Sequence, residues 1–307
     1  MRIRSSRFIP RCVIALIGFG LSCNAAALTV FACEPEWAAL VGELAPNAKV
    51  ISATHARQDP HYVEARPSLI ARLRHADLAI CTGAELESGW LPLLQQRASN
   101  PKVSPGRPGL LLASEHVTLI HQMPQADRSH GHVHPEGNPH IHLDPSRLSS
   151  IAAVLARRLG QIDPAGVDAY QTRYKSWLAQ WEQDIAALEE LAAPLRGRSL
   201  VAQHSSFAYL WEWLGLMQSA DLEPKPGLPP TPSHLAKVVQ LANERPPIAI
   251  VQTLYQDTAP ARWLHKQTGV PWKSLPSTVT SDGASSTLRG LFDTLIRELL
   301  EAANELP

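Results

Sequence analysis

Short apolar runs alternate along this chain with longer stretches in which apolar side chains recur every three or four positions. Runs at 28–33, 49–53 and 78–81 predict strands, and the periodic stretches 36–44, 67–75 and 90–97 predict helices. After a Pro/Gly-rich loop at 101–109, another helix is expected from Asp144-Pro145 to Leu159. The second half repeats the alternation, with strands at 199–203, 217–222, 248–254 and 272–275. Helices are expected there at 206–214, 233–243, 259–268 and 285–304, with a proline-rich loop at 224–232. Alternation of this kind is the mark of βαβ units and parallel sheets, because a parallel strand pair needs a crossover that covers the sheet.

The middle of the chain breaks the rhythm. Val167, Tyr170, Tyr174, Trp177, Leu178, Trp181, Ile185, Leu188 and Leu191 follow one another in steps of three and four. Asp163-Pro164 reads as an N-cap with proline at the first helical position, and Pro194 and Gly197 end the pattern. A helix of that length is roughly 45 Å long at 1.5 Å per residue, too long for one crossover and suited to a spine. The expected architecture is two α/β lobes with parallel sheets, 28–160 and 198–307, joined by a single long linker helix within 161–197.

The N-terminal segment reads as a secretory signal. Arg2, Arg4, Arg7 and Arg11 precede an apolar run from Cys12 to Cys23, and Ala25-Ala26-Ala27 offers a cleavage site. The run is shorter than the ~20 residues a membrane span needs. Residues 1–27 are therefore expected to be removed and the protein to reside in the periplasm. A lipoprotein reading through Cys23 is disfavoured by Gly20, where such signals prefer Leu.

Charge changes the picture by exclusion. Lys plus Arg and Asp plus Glu both number 28, so nothing points to a nucleic-acid or membrane-surface partner. Beyond the signal two cysteines remain, Cys33 and Cys81, each closing an apolar run. They are either a disulfide between neighbouring strand ends or two buried thiols.

Histidine carries the candidate chemistry. Residues 130–142 read His-Gly-His-Val-His-Pro-Glu-Gly-Asn-Pro-His-Ile-His, a segment spaced by glycine and proline that attracts metal. Imidazole suits zinc, copper and nickel, whereas calcium and magnesium prefer oxygen. His61 and His204 follow predicted strands and His140 closes the histidine-rich loop, positions where α/β folds gather their sites. His75 and His265 sit within helical patterns, His234 lies near a helix start, and His55, His116 and His121 have no informative context.

Four motifs in order then carry a resemblance over the whole mature chain. They are Asp59-Pro60-His61 with Arg66-Pro67-Ser68, the stretch Cys81-Thr82-Gly83-Ala84-Glu85-Leu86-Glu87 through Trp90-Leu91, Asn138-Pro139-His140-Ile141-His142-Leu143-Asp144-Pro145, and His204-Ser205-Ser206-Phe207-Ala208-Tyr209. The chain resembles the zinc- and manganese-binding proteins of ABC importers, the ZnuA/TroA-like group known as cluster A-I. That resemblance implies a metal site in the interlobe cleft with His61, His140 and His204 as ligands, and an acidic fourth ligand, Asp282, in the loop before the last helix. Asp59 and Asp257 are substitutes for Asp282, and His142 competes with His140. It also implies a monomer that hands its cargo to a membrane permease, with a periplasmic metallochaperone as a further partner.

Three imidazoles and one carboxylate suit tetrahedral Zn2+, and a manganese protein of this group is expected to carry a carboxylate in place of His204. His130, His132 and His134 are expected to gather zinc as an auxiliary site. Manganese or another divalent metal is the alternative cargo. A zinc hydrolase is the alternative chemistry, although no His-Glu-x-x-His or Gly-x-Ser-x-Gly is present. An adhesin on the same fold would differ in partner only. Capture without catalysis is the expectation.

Overall fold

A computed structural model of the chain describes residues 27–123, 125 and 134–305. The segment up to residue 26, where the secretory signal is expected, and His130 and His132 lie outside the described residues. The first half contains β1 Thr29–Ala32, α1 Pro35–Leu44, β2 Lys49–Ser52, α2 Pro67–Arg74, β3 Leu78–Cys81, α3 Leu91–Ala98 and β4 Leu110–Leu112. Two helices follow, α4 Pro145–Ile162 and α5 Val167–Ala192. The second half contains β5 Ser199–Ala202, α6 Ala208–Leu214, β6 Met217–Asp221, α7 Pro232–Glu244, β7 Ile250–Thr253, α8 Ala259–Thr268, β8 Trp272–Leu275 and α9 Leu288–Glu305.

The strands form two parallel sheets, ordered β2-β1-β3-β4 and β6-β5-β7-β8. In each, the first strand has neighbours on both sides, so the chain turns one way and then the other at the carboxyl ends. A crevice opens at such a switch point. The strand β4 was not expected. Its three leucines pair in register with Ala79–Cys81 through Ala79↔Leu110 and Cys81↔Leu112, but a run that short carries no period of its own.

The linker differs from expectation at its start. Asp163 and Pro164 lead into one 3-10 turn, Pro164–Gly166, and the α-helix begins only at Val167. The Asp163 side chain caps no backbone N–H there; it accepts the Tyr170 hydroxyl at 2.8 Å. Gly166 permits the approach, since a Cβ would stand 2.6 Å from that carboxylate. The helix runs 26 residues, roughly 39 Å.

One apolar core joins the two lobes along the linker. Trp37 and Leu40 of α1, Leu148, Ile151 and Leu155 of α4, Trp181 and Leu188 of α5, and Leu291, Phe292 and Leu295 of α9 belong to a single buried cluster. The Trp181 indole is pinned twice, donating to the Pro145 carbonyl at 2.9 Å and meeting Phe292 edge-on at 6.0 Å. Apolar burial on this scale resists shear between the sheets. Smaller clusters cover the outer faces of each sheet.

Cys33 and Cys81 are disulfide-bonded, with Cα atoms 4.8 Å apart. The parallel register sets this up: Ala32 pairs with Ile80, so the next residues face each other at the strand ends.

Candidate metal centre

His61 stands in the loop between β2 and α2. Asp59 folds the loop into a tight turn, its Oδ1 accepting the His61 backbone N–H at 3.0 Å and lying 2.7 Å from His61 Nδ1. The Trp90 indole holds the turn from behind through the Pro60 carbonyl at 2.9 Å. With Nδ1 committed to a carboxylate, Nε2 is the nitrogen offered to the cleft.

His204 comes from the other lobe, two residues beyond the end of β5. Its Nδ1 lies 3.1 Å from Glu223 Oε2, on the segment leaving β6, so it repeats the arrangement of His61. His140 approaches on the segment before α4, its ring centroid 6.0 Å from that of His61. Burial first, then the neighbouring His61, His142, His204 and His134, holds the His140 imidazole well below its usual range. It is therefore neutral and able to coordinate near pH 7.

His140 and His142 differ in their surroundings. His142 has both nitrogens engaged, Nε2 at 2.7 Å from the Ser277 carbonyl and Nδ1 at 2.9 Å from Glu36 Oε1. A carbonyl only accepts, so Nε2 carries a proton, and the Glu36 carboxylate beside Nδ1 favours a second one there. Burial opposes that charge, but the Glu36 carboxylate more than offsets it and raises the imidazole above its usual range. A doubly protonated imidazole has no lone pair for a metal.

Neither Asp282 nor Asp257 lines a cavity with the histidines. Asp282 is exposed, in a turn that Thr280 closes on itself through the Asp282 carbonyl at 2.7 Å and Ser285 Oγ at 2.8 Å. Ser277 and Thr278 anchor this loop to His142 and Glu36, and Asp282 lines neither histidine-lined cavity. Asp257 is also spent elsewhere, accepting the Ala259 N–H at the start of α8.

The structure brings His134 beside His61. Its Nε2 lies 3.0 Å from His61 Nε2, with the rings stacked at 5.1 Å between centroids. Its place beside the loop's other histidines hid this role. What delivers it is a stem that pairs the two legs of the loop, Met123 N–H to the Pro135 carbonyl at 3.1 Å and Asn138 N–H to the Ile120 carbonyl at 2.8 Å.

Two cavities meet at His204. One of about 430 Å³ is lined by Asp59, His61, Glu223 and Tyr255; the other, of about 230 Å³, by His121, Met123, His134 and His140. Among the described residues, Cys33, Cys81 and Glu87 form the one group with ligand atoms all within 4.8 Å of one another, and its sulfurs are already bonded to each other. The histidines stand in a more open arrangement.

Comparison with known proteins shows the family and the fold. Residues 30–302 match the family model described as ZnuA, zinc-uptake complex component A periplasmic. The high-affinity zinc uptake system protein ZnuA of Yersinia pestis is 26% identical over 198 residues, 58% of this chain and 60% of that one. The metal ABC transporter substrate-binding lipoprotein ScbA of Streptococcus cristatus is 23% identical over 221 residues, 70% of this chain and 67% of that one. The matched stretch thus spans about three fifths of the Yersinia relative. A crystal structure of ZnuA shares the fold with a TM-score of 0.77 at 20% identity, covering 90% of this chain and 99% of that one. The family match over nearly all of the described chain, the two parallel sheets and the cleft between them make one case: the chain belongs to the ZnuA family of periplasmic metal-binding components of ABC importers.

Proposed function

We propose that this protein captures Zn2+ in the periplasm between His61, His134, His140 and His204 and delivers it to the membrane permease of an ABC importer. The observation that carries the reading is the meeting of histidines from both lobes, two of them with Nδ1 held by carboxylates. Such carboxylate–histidine pairs fix tautomer and ring orientation and raise the basicity of the other nitrogen. An all-imidazole set favours zinc over manganese, which prefers carboxylate oxygens. The relatives' names include zinc, iron and unspecified metal, so the choice of zinc rests on the ligand chemistry of this chain.

Tetrahedral Zn2+ with bonds near 2.0–2.1 Å places neighbouring nitrogens roughly 3.3–3.4 Å apart. His61 and His134 already approach that spacing at 3.0 Å. His140 and His204 complete the set. His130 and His132 gather zinc ahead of this site, export follows cleavage after Ala27, and docking to the permease releases the ion by separating the lobes' ligands. No helix among the described residues is long and apolar enough to cross a membrane. The hydrolase alternative has no support, since the carboxylates beside His61 and His204 hold imidazoles and leave none poised as a general base.

Metal content and zinc titration of residues 28–307 beside a His61→Ala, His204→Ala double variant test the reading. One tight zinc per wild-type chain, lost in the variant and not displaced by manganese, is the expected result. Weak zinc binding equal in both proteins would overturn it.

A further inference from the structure

The Asn138 side chain touches the neighbourhoods of two ligand histidines that come from different lobes. Its Oδ1 accepts the His140 backbone N–H at 2.9 Å, and its Nδ2 donates to the Ser205 carbonyl, also at 2.9 Å. Ser205 directly follows His204. The orientation of the amide follows from its partners, because an N–H can only donate and a carbonyl can only accept.

The Asn138 backbone is fixed as firmly. Its N–H donates to the Ile120 carbonyl at 2.8 Å and its carbonyl accepts the Tyr209 hydroxyl at 2.7 Å. The same hydroxyl accepts the Ile120 N–H at 3.2 Å, so one phenol from α6 ties both legs of the histidine-rich loop together. Tyr209 is fully buried, and the Arg147 guanidinium lies 4.5 Å from its ring centroid. Gly137 lets the legs close, since a Cβ there would stand 2.6 Å from Leu119 Cβ.

We propose that Asn138 is a positioning residue: its amide sets the separation between His140 and His204 across the lobes and thereby holds the metal site at binding geometry. The proposal rests on the assignment of those two histidines as ligands. It explains why this position needs an amide, beyond needing a buried polar group. A planar fork with one acceptor and one donor spans from the N–H of one ligand residue to the carbonyl next to the other. Aspartate keeps the acceptor and loses the donor; alanine loses both. Ligands in a working site have to stay within ~0.5 Å of productive geometry, and neighbouring hydrogen bonds are what hold them there.

Cobalt reports the geometry directly. Asn138→Asp and Asn138→Ala are loaded with Co2+ and compared with wild type by their ligand-field absorption, then titrated with Zn2+ against a chelator. Asn100→Ala serves as the control, since Asn100 Nδ2 holds the Leu73 and Ala76 carbonyls at the end of α2, outside both histidine-lined cavities. The expected result is a changed Co2+ spectrum in both Asn138 variants, with zinc binding weaker by about tenfold in Asn138→Asp, the size of one lost hydrogen bond at the upper end of its usual range, and by more in Asn138→Ala, which loses two. The control is expected to melt lower with wild-type spectrum and affinity. Asn138 variants that melt lower yet keep the wild-type spectrum and affinity would reduce Asn138 to a structural role and overturn the proposal. The near-isosteric Asp variant keeps the test decisive if the Ala variant fails to fold. A wild type that takes up no Co2+ at one per chain would sink the ligand assignment itself, a separate outcome.

Discussion

Nδ1 of His61 lies 2.7 Å from Oδ1 of Asp59, two residues earlier, and this pair decides which nitrogen faces the cleft. The burial of Asp59 works against its charge, but hydrogen bonding to His61 more than offsets that and holds the carboxyl below its usual range. Asp59 thus acts through His61. Asp59→Ala is expected to leave one zinc bound per chain while weakening it by roughly 10–100-fold, the usual effect of removing such a partner. A chelator competition titration reads this; total loss of the site would instead make Asp59 a ligand.

The proposed ligand set includes His134 and leaves out Asp282. Asp282→Ala is expected to leave zinc affinity within about twofold of wild type, because the residue is exposed and lines neither histidine-lined cavity. His134→Ala is expected to weaken it by tenfold or more, on the order of one lost imidazole bond. Paired isothermal titrations separate the two, and the reverse ranking would restore Asp282 to the site.

Glu36 and His142 form a buried ion pair, 1% and 5% exposed in their side chains, that also grips the loop after β8. Removing one member strands the other charge in the interior. Glu36→Ala is expected to destabilise the protein by about 3–5 kcal/mol in urea unfolding while preserving one-to-one zinc binding. A loss below 1 kcal/mol would mean that the pair is solvated.

Glu34 and Glu87 meet beside the disulfide. The Thr82 hydroxyl donates to Glu34 at 3.1 Å, and the N–H groups of Thr82 and Gly83 donate to Glu87 at 2.6 and 3.0 Å. Burial pushes the Glu87 carboxyl up to about 7, although those N–H groups pull the other way. Burial, then the Glu87 and Glu36 carboxylates, raises Glu34 well above its usual range. Both folded values exceed the unfolded value of ~4.3, so the contribution is full below that pH and is lost as pH rises through about 7 and beyond. Glu34→Gln supplies a permanent N–H to Glu87 in place of the shared proton. Its melting temperature is expected to fall less than that of wild type between pH 5 and pH 8. Parallel pH profiles would show that the pair shares no proton.

Much of the fold was legible in the pattern of side chains. Each predicted strand and helix is present within a few residues, because burial on one helical face or in a parallel sheet imprints its period locally. The exceptions have local causes. β4 is too short to show a period, and α5 starts late because Tyr170 claims the Asp163 side chain.

The sequence by itself determined the alternation of strand and helix, the long spine between halves and the placement of His61 and His204 beyond strand ends. These follow from periodicity and chain order. Only the tertiary structure decided that Cys33 and Cys81 bond, that Glu36 lies against His142, that Asp282 is exposed, and that His134 meets His61. Each of those depends on residues far apart in the chain: 73 positions separate His134 from His61, and 135 separate His142 from Ser277. Spacing along a chain fixes which side of a helix or strand a residue takes. Which imidazole nitrogen still has a free lone pair depends on which acceptors the other lobe brings within about 3 Å, and that is set by packing.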